Sequence, residues 1–207
     1  MKLSRMVALV TAFLAAACSH PGLDLGQGPR HYKSSDYEKV LGRWTRSGRV
    51  FDHFDTNLKV TATYFSWDFT TAYAIRWAKM FRMPKVEAIE FRHKLLADKT
   101  RSNEFYLAVT TQELRWNDLD HKDSIWHIRL VTDRGDALPP ITVERILPIT
   151  ASQRAMFPYT KTFYYAYKVR FSAFLSGRKV LDPGIRWFGL RFAGPKGVVT
   201  LKWKTRQ

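Results

Sequence analysis

The chain has 207 residues, 45% hydrophobic and 25% charged, a globular composition that excludes a disordered or collagen-like chain. Lys and Arg number 34 against 18 Asp and Glu, a formal net charge of +16. The single cysteine excludes an internal disulfide, a zinc ribbon and a CxxC redox motif, and no stretch reaches the ~20 apolar residues of a membrane-spanning helix.

The first segment is a targeting signal by pattern. Lys2 and Arg5 make a positive start, and Met6 to Ala17 is an apolar run broken only by Thr11. It is too short to span a bilayer and fits the apolar core of a signal peptide. The run ends in Ala15-Ala16-Ala17, directly before Cys18. This resembles the signal peptide and lipobox of bacterial lipoproteins, whose pattern is Leu-Ala-Gly/Ala-Cys. Ala15 stands where Leu is more usual, with Leu14 one place earlier. The resemblance covers about a tenth of the chain, and the remainder resembles no family. It implies removal of residues 1–17, a diacylglycerol thioether on Cys18 and acylation, as with palmitate, of its new amino group. Several acyl chains on one residue anchor durably, whereas one does not. Ser19, in place of the Asp that favours inner-membrane retention in enterobacteria, implies the outer membrane, with the protein facing the periplasm. Loss of Lys2 and Arg5 leaves 32 basic and 18 acidic residues, net +14.

Residues 18–36 are expected to be the lipidated cysteine and a flexible tether. They hold Pro21, Gly22, Gly26, Gly28, Pro29, Ser34 and Ser35 and little apolar periodicity. Fully extended, the tether reaches about 60 Å. Residues 37–207 are expected to form a single β-rich domain, with strand-like segments beginning near Tyr37. Leu58 to Phe65 alternates, with Val60, Ala62 and Tyr64 on one side and Lys59, Thr61 and Thr63 on the other. The period then changes. Phe69, Tyr73, Trp77 and Phe81 recur every four residues, which predicts an amphipathic helix over 68–83 stopped at Pro84. Helical patterning continues over 85–99, with Val86, Ile89 and Leu96 on one face.

Strand patterns resume at Phe105, Leu107 and Val109, then at Trp126, Ile128 and Leu130, and at Ile141 and Val143. A longer strand alternates Tyr165, Tyr167, Val169 and Phe171 with Ala166, Lys168, Arg170 and Ser172. Phe188, Leu190 and Phe192 mark the next, and Val199, Leu201 and Trp203 the last. Turn signals separate them, among them Asp133 to Asp136, Pro139-Pro140, Asp182-Pro183-Gly184 and Gly194 to Gly197. Short strands with regular turns predict a mainly β fold: an antiparallel β-sandwich, immunoglobulin-like or related, with a helical insertion around 68–99.

Two polar clusters are weak candidates for chemistry. Residues 117–123 crowd Asn117, Asp118, Asp120 and Asp123 together. Lys122 breaks the calcium-loop pattern that would begin at Asp118, and no Gly follows it, so a polar turn is the simpler reading. Asp52-His53-Phe54-Asp55 pairs a His with carboxylates, but neighbours on a strand point to opposite faces, and a solvated turn is expected. There is no Gly-x-Ser-x-Gly elbow, His-Glu-x-x-His, P-loop or Rossmann fingerprint. No catalytic, cofactor-binding or metal-binding residue is assigned, and the pattern leans away from an enzyme.

Charge carries more information. Residues 161–207 hold 11 Lys and Arg and one acid, Asp182. Lys168 and Arg170, Arg191, and Lys202 and Lys204 each fall opposite the apolar set of their strand. If the apolar sets face the core, these five line a basic outer surface. Basic residues interleaved with aromatics ordinarily suggest nucleic acid, but export argues against it. The sequence therefore predicts a non-enzymatic, lipid-anchored envelope protein that binds an anionic component through Lys168, Arg170, Arg191, Lys202 and Lys204. Phospholipid, lipid A, acidic glycan or an acidic partner protein would fit. Two alternatives are an envelope hydrolase acting on glycan or lipid, and an accessory subunit of an envelope assembly.

Overall fold

The computed structural model describes residues 22–52 and 55–206. The protein is mainly β, with two antiparallel sheets, a short hairpin and a few helices. The chain enters through α1 (Tyr37–Trp44), β1 (Thr45–Asp52) and β2 (Asp55–Tyr64), then forms two helices, α2 (Trp67–Met80) and α3 (Lys85–Asp98). It continues through β3 (Ser102–Thr111), β4 (His127–Thr132), β5 (Ala137–Leu138), β6 (Thr142–Ile146) and α4 (Ala151–Met156). It ends in β7 (Tyr165–Ser172), β8 (Phe174–Leu175), β9 (Arg178–Lys179), β10 (Trp187–Gly194) and β11 (Gly197–Lys204). The five-stranded sheet has the order β1-β2-β3-β7-β6 and the four-stranded sheet β11-β10-β4-β5.

The inner faces of the two sheets share one aromatic interior. Tyr64 on β2 and Phe105 on β3 meet Phe188 on β10 and Trp203 on β11, with Tyr64 and Phe188 ring centroids 5.0 Å apart. Phe188 and Trp203 stack at 5.3 Å, and the Trp203 indole donates to the Trp44 carbonyl at 2.9 Å. At the seam, β1 packs against β11. A Cβ on Gly48 would lie 2.6 Å from Leu201 Cδ2 and 2.7 Å from Val199 Cγ2, so a side chain there would push both methyls aside. The strand registers follow the alternation in the sequence: Trp126, Phe171, Phe188, Phe192, Leu201 and Trp203 are buried, while Lys202 is exposed.

The helices cover the other face of the five-stranded sheet. Tyr106 on β3 stacks on Phe157 at 3.9 Å, and Phe157 in turn meets Phe65 and Phe69. Both expected helices are present and separate β2 from β3. Ser66 caps α2 by accepting from the Phe69 amide at 2.9 Å, and the helix ends before Pro84. α3 packs on α2, with Trp77 over Phe91, and buries none of its own residues.

Three features depart from the sequence reading. Residues 37–44 are a helix rather than a strand: Tyr37, Val40, Leu41 and Trp44, spaced for one helical face, are all buried. α4 is a further short helix, closed by a capping box between Thr150 and Gln153. The third concerns the tether. Within residues 18–36, residues 22–36 are not a flexible linker but lie packed on the domain. Leu23 is buried and bridges Thr205 in parallel, donating to Lys204 O at 3.0 Å and accepting from Arg206 N at 2.9 Å. Further along, Trp67 Nε1 donates to Gly28 O at 2.9 Å. Asp68, itself buried, takes hydrogen bonds from Tyr32, from Arg43 at 3.0 Å and from the Trp44 indole at 2.8 Å, with Arg30 Nε at 3.5 Å. Burial, followed by the Asp68 hydrogen bond and charge, raises the Tyr32 pKa.

Candidate anion-binding face

Alternation fixes which side chains leave each sheet, and pairing fixes which of them meet. On the four-stranded sheet, Ile128, Leu130, Leu190, Phe192, Leu201 and Trp203 point inward. His127 and Arg129 on β4, Arg191 on β10, and Lys202 and Lys204 on β11 therefore point outward, and all five are exposed. Register sets Arg191 directly opposite Arg129 on one side and Thr200 on the other. Gly189 pairs with Lys202 and Trp187 with Lys204, so Lys202 and Lys204 lie along the same face. Lys202 Nζ sits 4.5 Å from the Trp187 ring centroid. β4, β5, β10 and β11 contain no Asp or Glu, so the face has no carboxylate of its own. Acids near its margin are engaged: Asp133 takes a 3.0 Å bond from Arg186, and Asp136 a 2.8 Å bond from Arg178.

Lys168 and Arg170 are elsewhere. They stand on β7, in the five-stranded sheet, on the face that the helices partly cover. Lys168 Nζ lies 3.3 Å from Glu104 Oε2, and Arg170 pairs with Glu144 while its Nε donates to Thr142 Oγ1 at 3.0 Å. Lys99 joins the same cluster, 3.6 Å from Glu104, and burial lowers its pKa although Glu104 opposes the shift. The five expected residues thus divide between two sheets: Arg191, Lys202 and Lys204 lie together, and Lys168 and Arg170 are neutralised apart from them. Arg129 is the member that sequence reasoning missed. Its signal was present, since His127 and Arg129 alternate with the apolar set Trp126, Ile128 and Leu130.

Arg129 also borders a cleft of about 350 Å³ between β4 and β6, lined in part by His121, Lys122, His127 and Ile141. The polar loop at 117–123 beneath it serves the fold. The Asn117 amide donates to Val109 O at 3.1 Å, its carbonyl accepts from Tyr167 Oη at 2.6 Å, and Asp120 pairs with Arg145 at 3.1 Å. Of the other polar cluster, Asp52 closes β1 and Asp55 opens β2, and His53 and Phe54 lie outside the described residues. Cys18 and the whole signal-like segment also lie outside them. Among the described residues, no group of three His, Cys, Asp or Glu side chains could hold a metal ion, and no helix is long and apolar enough to cross a membrane.

No family model and no curated protein matches this chain. One solved structure, a protein of unknown function from Burkholderia pseudomallei K96243, is similar over 86% of this chain and 93% of its own, at 8% identity and a TM-score of 0.39.

Proposed function

We propose that this is a non-enzymatic envelope protein, anchored by lipid on Cys18 and carrying an anion-binding face on its four-stranded sheet. The fold would be a β-sandwich, a reading that the shared interior of Tyr64, Phe105, Phe188 and Trp203 supports. The observation that carries the functional reading is the opposition of Arg191 and Arg129 on a face without carboxylates. Like charges directly opposite in a sheet destabilise it, and an anionic ligand removes that repulsion. Near an anionic membrane each basic residue contributes up to about 1 kcal/mol, so four give up to about 4 kcal/mol, roughly a thousandfold in affinity. Phospholipid headgroups, lipid A phosphates and acidic glycan present the same chemistry. Two experiments test the reading. Cys18→Ala should abolish metabolic labelling with fatty acid, and equal labelling of both proteins would reject the anchor. The chain lacking residues 1–18 should bind vesicles containing anionic lipid and ignore zwitterionic ones; equal binding to both would reject the face.

A second reading, an accessory subunit of an envelope assembly, is favoured by the α2–α3 hairpin. Phe81, Val86 and Ile89 are 50%, 69% and 39% exposed near its tip. Apolar side chains gathered in this way mark contact surfaces. Co-purification of a protein partner that is lost on Phe81→Ser and Val86→Ser would support it.

A further inference from the structure

The N-terminal segment is fastened to one particular corner of the domain. Gly22 lies against the last residues of the chain: a Cβ there would sit 2.6 Å from both Thr205 O and Arg206 N, so any side chain would strike backbone. Leu23 follows, buried and bonded on both sides to Lys204 and Arg206. Around this clamp lies a shallow depression of about 620 Å³ lined by Gly22, Arg186, Trp187, Lys204, Thr205 and Arg206. Lys204 and Arg206 are exposed, Lys202 lies beside Trp187, and the ion pairs among the described residues include none of these three cations.

We infer that this corner docks on the anionic phospholipid headgroups of the same leaflet that holds the anchor, with Lys202, Lys204 and Arg206 contacting phosphate and Trp187 lying at headgroup depth. The inference rests on the lipidation of Cys18. Gly22 is four positions along from Cys18, a span of at most about 14 Å. The headgroup layer of one leaflet takes roughly 5–8 Å of it. The corner is therefore held within about one Debye length, ~8 Å at physiological ionic strength, of the headgroup surface, where exposed charges still attract. A Trp ring, apolar in body with a polar N–H, suits that boundary. Arg191, four residues along β10 from Trp187, stands about 13 Å further from the clamp. A long flexible tether would leave the domain free to turn; a clamp at Leu23 fixes which end faces the lipid.

The test uses the full chain, processed and lipidated, in vesicles of equimolar phosphatidylglycerol and phosphatidylcholine doped with a headgroup spin-labelled lipid that quenches tryptophan. Quenching should be at least halved by Trp187→Phe, and by joint Lys202→Glu, Lys204→Glu and Arg206→Glu, which should keep the protein on the vesicle through its anchor. It should fall similarly in phosphatidylcholine alone and after insertion of a ten-residue Gly/Ser segment between Ser19 and Gly22. Circular dichroism identical to that of the parent chain certifies the fold of each variant. Quenching unchanged by Trp187→Phe and by the triple reversal would overturn the inference. Mass spectrometry of the Cys18 peptide separates the two readings. If it shows no lipid, the anchoring reading fails, and the same chain coupled through Cys18 to a maleimide lipid still decides the docking by the same quenching.

Discussion

Arg191 on β10 and Arg129 on β4 occupy the same rung of one antiparallel ladder, both exposed and with no acid on their strands. On the five-stranded sheet Lys168 is in register with Glu144 and Arg170 with Glu104, and each finds a carboxylate on a neighbouring strand, while Arg49 on β1 faces Lys59 on β2. Opposed like charges cost stability, and replacing one by its opposite recovers about 0.2–1 kcal/mol. Arg191→Glu should therefore raise resistance to urea while weakening binding to anionic vesicles. A variant less stable than the parent, with binding intact, would contradict the assignment of this rung to ligand.

Phe171 tests the core. It is fully buried on β7 and meets Phe105 edge-on at 5.8 Å. Phe171→Ala should destabilise the domain by about 3–5 kcal/mol, measured by denaturant titration. A loss below about 1 kcal/mol would mean that the site collapses around the missing ring, at odds with a close-packed interior.

Asp68 holds the N-terminal segment. Asp68→Ala leaves the Trp44 indole N–H without its acceptor and removes the carboxylate that gathers Arg30, Tyr32 and Arg43. A buried donor left unpaired costs about 1–3 kcal/mol. Trypsin should then cut after Arg30 and Lys33 faster than in the parent chain. An unchanged cleavage rate would show that Leu23 and Trp67 hold the segment without Asp68.

The core and the helical insertion were legible because both are local patterns. Leu201 and Trp203 lie inside and Lys202 outside, as period-2 alternation requires, and Phe69, Tyr73 and Trp77 announce α2 by their spacing. α1 was missed although Tyr37, Val40, Leu41 and Trp44 are helically spaced, because strand-like Thr45 to Val50 follows without a break. The docking of residues 22–36 could not be read at all: Leu23 is tied to Lys204 and Thr205, far away in sequence, and Gly and Pro nearby look like linker. The basic face was half legible. Alternation tells that Lys168 and Lys202 leave their sheets; only pairing, β7 with β3 and β11 with β10, tells that they leave different ones.

Acid should weaken the fold through Asp182. Hydrogen bonds from Arg134 hold its carboxyl below the usual range, with burial opposing. A carboxyl depressed in the folded state stabilises the fold above its unfolded pKa, near 3.9, and that contribution is lost as pH falls through the folded value. The pair is partly exposed, so solvent screens it and its contribution is small. Asp182→Asn should be less stable than the parent at neutral pH, with the gap closing as pH falls through the depressed folded pKa. A gap that widens on acidification would contradict the sign.

Vesicle binding by the charge-reversed face tests the central claim most directly. Arg129, Arg191, Lys202 and Lys204 are all exposed, so replacing them by Glu should leave the fold intact. In the chain lacking residues 1–18, this variant should lose anionic-vesicle binding that in the parent falls steeply with salt, since exposed charges are screened beyond ~8 Å at physiological ionic strength. Lys168→Ala with Arg170→Ala should bind as the parent does. Salt-insensitive binding that survives the quadruple reversal would contradict the account.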